Sequence, residues 1–350
     1  MQEEGSEGVL SDELDVAIVG AGLSGLSCAR ELQERGARVA LWDKGRGVGG
    51  RMATRRLQHN GQTATFDHGA QFFTARSQEF KEQVAHWASQ NLAREWYRGQ
   101  FKTRREEDSA EEFAVTGEPD GHPRFCGEGG MTSVTKHMAR GLDVRTSARV
   151  AGLQFESGVW ILRGEAQNDL GRARTLVLSP PVPQSLALLD ASSVELPGTL
   201  RESLQAMRYD PCVALMLWLS RPTRVPSPGA LSLEGEPLVW LGDNTQKGLC
   251  EPFALTIHAA PGWSERNYAL SDEDTVRELS QAARQFWEGE ILAFSVARWR
   301  FSKPIEPRDD GFLAWSERRL FFAGDAFNGA KVEGAFCSGL ATARAIDNLE

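Results

Sequence analysis

The sequence predicts an α/β protein whose first domain alternates strands with helices and whose second, α+β domain is built on an antiparallel sheet. Three observations carry this prediction. A short apolar run near the N-terminus leads into a glycine-rich turn and an apolar stripe at helical spacing, a similar pattern recurs near the C-terminus, and short apolar runs separated by proline and glycine fill the middle. The length of 350 residues exceeds that of one ordinary domain, which favours two.

The first structured segment predicts a Rossmann-like unit that binds a dinucleotide. Residues 14–19 (LDVAIV) predict a buried strand, which runs into GAGLSG and then into a helix ending near Gly36. The first glycine allows a tight turn, the second lets a pyrophosphate approach the backbone, and the third packs the helix on the strand, while the helix N-terminus attracts phosphates. The alternative is a glycine-rich turn that binds no ligand. We expect cofactor contacts at Gly20, Gly22, Ser24 and Gly25.

An acidic residue follows the next predicted strand, residues 38–42 (RVALW). Asp43 lies 18 residues after Gly25, where a carboxylate accepts hydrogen bonds from ribose hydroxyls. We expect Asp43 and its neighbour Lys44 to contact the nucleotide.

A second glycine cluster indicates which dinucleotide is bound. Residues 45–52 read GRGVGGRM, and Thr54 follows. This segment resembles the GG-R-M-x-T motif of the FAD-dependent amine oxidase superfamily. The resemblance implies an FAD-binding domain of the amine oxidase and p-hydroxybenzoate hydroxylase type, in which Gly50, Arg51 and Met52 lie beside the FAD pyrophosphate and the arginine is a phosphate partner. The alternative is a solvated basic loop.

Residues 63–74 (TATFDHGAQFFT) predict a strand that ends in small residues, which favour close approach to a ligand. The stretch FDHGAQFF resembles the D-x-G-A-Q-Y/F segment of renalases and their bacterial relatives. The resemblance implies that Gln71 and Phe72 lie against FAD. His68 is a candidate base, and its alternative is a structural histidine.

Residues 78–97 predict a helix that begins the second domain, and the charged run 104–112 predicts a solvated loop or hairpin tip. A helix over about 132–140 and a strand over 142–145 follow. Residues 149–153 (RVAGL) resemble the superfamily segment that returns to the FAD domain, which implies that Val150 packs near the adenine.

The middle of the chain predicts paired strands at 158–163 and 173–179, then a proline step at 180–183 where we expect a domain boundary. Beyond it lie further predicted elements, namely strands at 211–219, 237–242 and 253–259, a helix at 271–288 capped by Ser271 or Asp272, and a strand at 297–304 that returns to the first domain. The expected division is an FAD-binding domain of residues 14–75, 125–182 and 297–350, a substrate domain of residues 76–124 and 183–296, and a flexible tail of residues 1–13.

The C-terminal segment resembles the closing motif of the same superfamily. Residues 320–326 (LFFAGDA) predict a strand, and NGAKVEGAFCSGLATARAI opens a helix. The resemblance implies that Gly324 and Asp325 meet the ribityl and pyrophosphate region, with Lys331 and Val332 in the turn beneath the isoalloxazine. A helix N-terminus aimed at the N1–C2=O side stabilises the negative charge of reduced flavin.

Three residues are candidates for contact with substrate because short pairs in the middle resemble the renalase substrate domain: Asn244 (GDN), His258 (TIH) and Trp299 (WR). The first two are placed near a nicotinamide carboxamide. The alternatives are a turn asparagine, a histidine bonded within the sheet, and a core tryptophan.

Together the motifs most resemble those of bacterial renalases, which implies oxidation of misreduced 2- or 6-dihydro-NAD(P) isomers by hydride transfer to FAD, with dioxygen giving hydrogen peroxide. Hydride loss makes an aromatic ring, so no nucleophile, metal or strong base is needed, and we find no pattern for one. The covalent-flavin cysteine motif is absent, which implies noncovalent FAD. The alternatives are an amine oxidase or another FAD-dependent oxidase of the fold, and a non-enzymatic relative that binds lipid chains of small GTPases.

Composition excludes several classes of partner. The net charge of −9 disfavours nucleic acid and anionic membranes as partners, and five scattered cysteines without CxxC spacing predict reduced thiols rather than disulfides or a metal site. The acidic N-terminus lacks the features of a signal peptide, and no apolar run is long enough for a membrane span. These features predict a cytoplasmic enzyme for a small-molecule dinucleotide and dioxygen; the oligomeric state and the choice between NAD and NADP isomers are left open.

Overall fold

The computed structural model describes residues 13–104 and 114–349. The predicted tail therefore lies outside the described residues except for Glu13, and so does the charged run after Arg104. In chain order, the strands are β1 (Glu13–Val19), β2 (Val39–Trp42), β3 (Thr54–His59), β4 (Gln62–Asp67), β5 (Ala93–Arg104), β6 (Ala114–Gly127), β7 (Asp143–Arg145), β8 (Gly152–Glu156), β9 (Val159–Arg163), β10 (Asp169–Leu178), β11 (Tyr209–Leu219), β12 (Ala230–Leu233), β13 (Leu238–Asp243), β14 (Phe253–Ala259), β15 (Ile291–Pro304), β16 (Leu313–Trp315) and β17 (Leu320–Phe322).

The helices lie between these strands and after the last one. In chain order they are α1 (Leu23–Glu34), α2 (Gln78–Ser89), α3 (Thr132–Met138), α4 (Val182–Ala191), α5 (Gly198–Gln205), α6 (Pro261–Arg266), α7 (Asp272–Ala282) and α8 (Val332–Asp347). Two 3₁₀ turns cover Arg284–Phe286 and Ser316–Arg318.

The first sheet has the order β16-β17-β10-β1-β2-β7, with β9 and then β8 attached to β10. The strands β17, β10, β1, β2 and β7 run parallel, which is the arrangement of a Rossmann-like unit. The antiparallel pairing of β9 with β10 agrees with the sequence prediction.

Both faces of the first sheet are covered, because apolar residues occupy successive positions over residues 16–19 of β1, 39–42 of β2 and 176–178 of β10. In β1, Val16 and Ile18 pack against the helices α1, α3 and α8, whereas Ala17 and Val19 pack against the β8–β9 hairpin and the α4–α5 pair. The same alternation recurs in β2, where Leu41 and Trp42 face opposite layers.

The second sheet has the order β15-β11-β14-β13-β12-β5-β6 and is antiparallel except for the β12–β5 pair. One face packs against α6 and α7 through a core around Trp263 and Leu279. The opposite face packs against the β3–β4 hairpin, in which Phe66 is fully buried against Ala214, Met216 and Trp218. This hairpin follows the second glycine cluster in the chain and packs on the second sheet, so it connects the two sheets.

Three element predictions were wrong in extent. The helix predicted for 78–97 ends at Ser89, because Asn91 adopts a left-handed conformation (φ 54°) and the chain from Ala93 pairs with β6. The strand predicted for 63–74 ends at Asp67, where the chain turns over the backbone of Arg51. The helix predicted for 271–288 ends at Ala282, although Ser271 caps it as predicted by accepting from Asp274 N at 3.0 Å.

Packing also changes the expected division of the chain. Residues 297–304 continue the edge strand β15 and pair with β11, so they lie in the second sheet rather than in the FAD-binding domain. The helix α2 packs through Phe80 and Trp87 against Phe336 of α8, and α4 and α5 cover the first sheet. We therefore place α2, α4 and α5 with the first sheet, because their apolar faces are buried there, and this division is a proposal.

Candidate active site

Three parallel strands end at one edge of the first sheet, where open α/β sheets bind their ligands. There Gly20 follows β1, Ser179 follows β10, and Gly324 lies just beyond β17. Ser179 Oγ donates to the carbonyl oxygens of Val19 and Gly20 at 2.9 and 3.0 Å. A Cβ on Gly20, whose φ is +99°, would lie 2.4 Å from that hydroxyl oxygen. Ser179 was missed by the sequence reasoning, because a serine after a strand has no signature of its own.

The first glycine turn combines one open and one closed position. A Cβ on Gly22 would meet no atom within 4 Å, whereas a Cβ on Gly25 would lie 2.1 Å from the carbonyl oxygen of Gly20. No side chain caps the N-terminus of α1, and the buried hydroxyl of Ser24 has no hydrogen-bond partner in the described structure. Free N–H groups, an unpartnered hydroxyl and open space beside Gly22 fit the pyrophosphate of a dinucleotide.

The second glycine cluster lies directly against the first turn. Gly49 N donates to the carbonyl oxygen of Ala21 at 2.8 Å, and a Cβ on Gly50 would lie 3.4 Å from Cα of Gly22. Met52 is buried beside α1 and α3. Two segments that are separate in the sequence thus form one backbone cradle.

Asp43 connects the two segments of this cradle through hydrogen bonds. Its Oδ2 accepts from Ala21 N at 2.8 Å and its Oδ1 accepts from Gly45 N at 2.7 Å. Each carboxylate oxygen can accept a second hydrogen bond, so capacity for a ribose hydroxyl remains. Lys44 is exposed and donates to Gln184 Oε1 at 3.0 Å, and Val150 is buried after the 145–148 segment that is bonded to Asp43 and Gly45.

Arg51 and Asp325 bring the two ends of the chain together. Nη1 of Arg51 donates to Asp325 Oδ2 at 2.8 Å and Nη2 donates to Oδ1 at 2.6 Å, while Nη1 also donates to the carbonyl oxygen of Ser302 at 3.0 Å. Burial of Arg51 opposes its charge, but the neighbouring carboxylate outweighs this and raises the pKa of Arg51. Burial and the charge of Asp325 together raise the pKa of Tyr209 to about 12. This pair places the N-terminal and C-terminal motifs at one site.

The helix α8 presents a second uncapped N-terminus. Its N-cap is the exposed Lys331, whose side chain makes no capping hydrogen bond, and Val332 is the first helical residue. Glu333 Oε1 accepts from the backbone N–H groups of Arg76 and Ser77 at 3.0 and 2.6 Å, which fixes this end of the helix against the start of α2. The free N–H groups of the first turn fit the negative charge of a reduced flavin.

The turn after β4 was expected to approach a ligand through its small residues, which stays a prediction, and the structure gives Gly69 a reason of its own to lack a side chain. A Cβ on Gly69 would lie 1.9 Å from the carbonyl oxygen of Arg51, and Ala70 N donates to the same oxygen at 2.9 Å. The glycine is therefore needed for contact with the second glycine cluster of this chain.

A buried ion pair, which the sequence reasoning missed, clamps this turn. Nζ of Lys247 donates to Asp67 Oδ2 at 2.7 Å and to the carbonyl oxygen of Gln71 at 2.5 Å, and it lies 4.7 Å from the centroid of the Trp96 ring. The side chains of Lys247 and Asp67 are 1% and 0% exposed. A lysine in a turn between two strands usually faces solvent, so the sequence carries no signal for this contact.

Aromatic and amide side chains gather beside the clamped turn. The rings of His68 and Trp299 stack at a centroid distance of 5.3 Å, and Trp299 Nε1 donates to the carbonyl oxygen of His68 at 2.9 Å. Nε2 of Gln71 lies 3.4 Å from Nε2 of His258 and donates to the carbonyl oxygen of Asp67 at 2.7 Å. We name His68, Gln71, His258 and Trp299 the ring cluster.

Both histidines of the ring cluster are neutral near pH 7. Burial, with the charges of Arg55 and His258, lowers the pKa of His68 to about 3. Burial lowers the pKa of His258 to about 4; a hydrogen bond to the His68 backbone acts against this shift, and the charge of Lys247 adds to it. A neutral His68, whose Nδ1 has no hydrogen-bond partner among the described residues, is a poor base at this pKa, because it holds a proton too weakly.

The structure gives Asn244 other neighbours than those expected, whereas the contact of Phe72 with FAD stays a prediction. Asn244 is 0% exposed; its Oδ1 accepts from Asp67 N at 3.2 Å and its Nδ2 donates to Thr256 Oγ1 at 2.9 Å. The expectation that Asn244 contacts substrate is corrected, because its amide is fully used in holding the turn. Phe72 packs edge-on against Tyr97, with the rings 5.9 Å apart.

Residues 13–104 and 114–349 contain neither a candidate metal site nor a candidate membrane-spanning helix. No three His, Cys, Asp or Glu side chains among them are grouped to hold a metal ion. None of their helices has the length and apolar character that crossing a membrane requires.

Comparisons with known proteins agree with this geometry. Residues 18–87 match the family described as an NAD(P)-binding Rossmann-like domain, and residues 86–347 match the family described as flavin containing amine oxidoreductase. Renalase from Mus musculus is 24% identical over 352 residues, which cover 95% of this chain and 98% of that protein.

Solved structures of oxidases share the fold. A variant of putrescine oxidase has a TM-score of 0.71 at 16% identity, covering 97% of this chain and 99% of that chain. Cyclohexylamine oxidase from Brevibacterium oxydans has a TM-score of 0.68 at 16% identity, covering 96% of this chain and 99% of that chain. At these identities the likeness shows the fold alone.

Proposed function

The chain belongs to the family of flavin-containing amine oxidoreductases, and from this premise we propose that it oxidises misreduced dihydronicotinamide dinucleotides, the 2- and 6-dihydro isomers of NAD(P), with dioxygen as the acceptor. The protein is an FAD-dependent oxidoreductase, and we propose that it holds its cofactor noncovalently. The products are NAD(P)+ and hydrogen peroxide.

The observation that carries the proposal is the ring cluster. It offers a flat face, formed by the stacked His68 and Trp299, beside the amide of Gln71 and the neutral His258. None of these side chains carries a charge near neutral pH, which suits a neutral dihydropyridine ring. Similarity to a renalase over nearly the whole chain supports the same substrate class.

FAD, when bound, supplies the acceptor for two electrons from the substrate and returns them to dioxygen. The chain would hold it at two uncapped helix N-termini, at the glycine cradle and at the Arg51–Asp325 pair. Because loss of hydride makes the pyridine ring aromatic, the residues at the ring need only orient it and exclude water. We propose that Trp299 and His258 contact the substrate and that Gln71 lies between substrate and cofactor.

Anaerobic mixing of the FAD-loaded protein with chemically prepared 6-dihydro-NAD tests this function. The visible absorbance of the flavin is expected to disappear within one turnover, and admission of air is expected to restore it with release of hydrogen peroxide. Ordinary 4-dihydro-NADH is the matched control, which we expect to reduce the flavin much more slowly. A flavin that stays oxidised with the 2- and 6-dihydro isomers contradicts the proposal.

An amine oxidase is the second candidate, favoured by the family description and by the two amine oxidases with this fold. The ring cluster argues against it, because Asp67, whose carbonyl oxygen accepts from Gln71, has its carboxylate already paired with Lys247. A panel of primary and secondary amines, scored by peroxide release, decides between the two. Turnover of an amine without flavin reduction by the dihydro isomers supports the second candidate.

A further inference from the structure

Arg55 lies on the face of the β3–β4 hairpin that packs toward the second sheet. It pairs across the hairpin with Phe66, and side chains of such a pair share one face. Phe66 is fully buried against β11. The guanidinium of Arg55 is therefore held between the hairpin and the second sheet, and its side chain is only partly exposed.

The charge of Arg55 has no counter-charge among the described residues. Its Nη1 donates to Ser295 Oγ at 2.6 Å and to the carbonyl oxygen of Val296 at 3.4 Å, both neutral acceptors. The neighbouring Arg51, in contrast, forms a bidentate pair with Asp325. A partly buried guanidinium with unused N–H donors favours an anion, because removing a charge from water is costly without a partner.

Arg55 is close to the ring cluster. Its positive charge contributes to the low pKa of His68, whose ring stacks on Trp299. Ser295, which accepts from Arg55, and Trp299 are four residues apart on β15 and so share one face. This separation is about 13 Å along the strand, a distance that the ribose and phosphates attached to a dihydropyridine ring can span. A ligand whose ring faces Trp299 thus places its next charged group within reach of Arg55.

We propose that Arg55 binds a phosphate of the dinucleotide substrate while the ring cluster faces the dihydropyridine ring; this assignment rests on the proposed function. Guanidinium groups bind phosphate oxygens through two parallel hydrogen bonds, and Ser295 already orients one end of the fork. Arg55 thereby selects nucleotides over the phosphate-free riboside.

The test compares Arg55→Met with Arg56→Met in the FAD-loaded protein. Arg56 is the matched control, because it is exposed on the opposite face of β3 and makes no hydrogen bond or ion pair with the described residues. Flavin reduction is measured with 6-dihydro-NAD and with 6-dihydronicotinamide riboside. For Arg55→Met we expect the KM for the dinucleotide to rise about tenfold or more, with kcat little changed and the riboside unaffected. Arg56→Met is expected to match the natural protein with both substrates.

Two kinetic outcomes overturn the assignment. Unchanged KM values in Arg55→Met show that no phosphate is bound there, and equal losses with dinucleotide and riboside show that Arg55 only supports packing. Calorimetric binding of NAD+ to the oxidised holoenzyme gives a readout that does not depend on turnover. If neither dihydro substrate reduces the flavin, the proposed function fails, and the assignment of Arg55 still stands or falls on whether Arg55→Met weakens this binding. Absence of NAD+ binding to the natural protein overturns it.

Discussion

Gly22 and Gly25 lie three residues apart in one turn, and the absence of a side chain matters for a different reason at each position. Gly25 touches the carbonyl oxygen of Gly20, so the fold itself excludes a Cβ there. Gly22 faces empty space and has an ordinary φ of −76°, so the protein alone tolerates a Cβ at this position. Only a ligand beside the backbone requires Gly22.

We predict that Gly22→Ala leaves the unfolding midpoint of the FAD-free protein unchanged but weakens FAD binding at least about tenfold, since the added methyl group occupies space beside the helix N-terminus. Gly25→Ala, its matched control, is expected to lower stability by about 1–3 kcal/mol, because the Cβ meets backbone that cannot move freely. Thermal unfolding and titration with FAD separate the two effects. Normal FAD affinity in Gly22→Ala contradicts this account of the cradle.

The two ring-cluster histidines make stability depend on pH. Their pKa values in the folded protein, about 3 for His68 and about 4 for His258, lie below the ordinary value of 6.5. Between these values the unfolded chain binds more protons than the folded one. The two neutral histidines therefore contribute their full stabilisation above about pH 6.5, and this contribution is lost as pH falls.

We therefore predict that the free energy of unfolding falls by up to about 1.4 kcal/mol per pH unit for each histidine between about pH 6 and pH 4. His68→Phe keeps a flat ring against Trp299 but removes one titrating group, so its pH dependence should be shallower. Urea unfolding at several pH values measures the slope. A slope identical to that of the natural protein would show that His68 does not cause it.

At the scale of elements, the turn between β13 and β14 fixes the turn that follows β4. Asp243 Oδ1 accepts from the backbone N–H groups of Thr245 and Gln246, each at 2.9 Å, and these bonds shape the turn between β13 and β14. That turn carries Lys247 to Asp67 and Gln71, and Asn244 to Asp67. The position of Gln71 in the ring cluster thus depends on a segment more than 170 residues away.

We predict that Lys247→Met destabilises the protein by about 3–5 kcal/mol, because it leaves the buried carboxylate of Asp67 without a cation. The double variant Lys247→Met with Asp67→Asn is expected to regain most of this stability, since neither buried charge remains. Both variants lose the hydrogen bond to the Gln71 carbonyl oxygen. We therefore expect the KM for 6-dihydro-NAD to be raised in the single variant and to remain raised in the double variant.

Urea unfolding, steady-state kinetics and the visible flavin spectrum of the three proteins decide this point. The variant Arg201→Met, which removes the half-buried partner of the exposed Asp190, serves as the control and should behave like the natural protein. A double variant that regains both stability and KM would mean that Lys247 acts only by balancing charge.

At the scale of the whole molecule, segments from both ends of the chain meet at the site where we propose that FAD binds. The helices α1 and α8 cross so closely that a Cβ on Gly339 would lie 2.0 Å from Ser27 Oγ, and Ser27 Oγ donates to the carbonyl oxygen of Phe336. Together with the Arg51–Asp325 pair, this crossing joins the two elements whose uncapped N-termini we propose to lie beside one cofactor. FAD binding is therefore linked to the folding of both ends.

We predict that removal of FAD lowers the unfolding temperature, and that FAD at 100 times its dissociation constant stabilises the protein by about 2.7 kcal/mol. Hydrogen exchange in the FAD-free protein should increase in residues 20–25, 45–52 and 324–332 while β11 and β14 in the second sheet stay protected. Increased exchange confined to the second sheet would place the cofactor elsewhere.

The sequence by itself determined the family, the cofactor and the fold class, and the comparisons confirmed all three. Its glycine turns, the acid after β2 and the closing Gly-Asp motif are local patterns whose spacing follows from strand and helix geometry. Residues close together in the chain specify these motifs, so they can be recognised from the sequence without knowledge of the fold.

Only the tertiary structure decided the contacts between distant segments. The Lys247–Asp67 pair, the Arg51–Asp325 pair, the burial of Asn244 and the place of residues 297–304 in the second sheet depend on packing across the whole chain. A side chain's charge or polarity is visible in the sequence, but its partner and its exposure are set by elements that fold against it. For this reason the cofactor motifs could be assigned from sequence, whereas the residues that shape the substrate site could not.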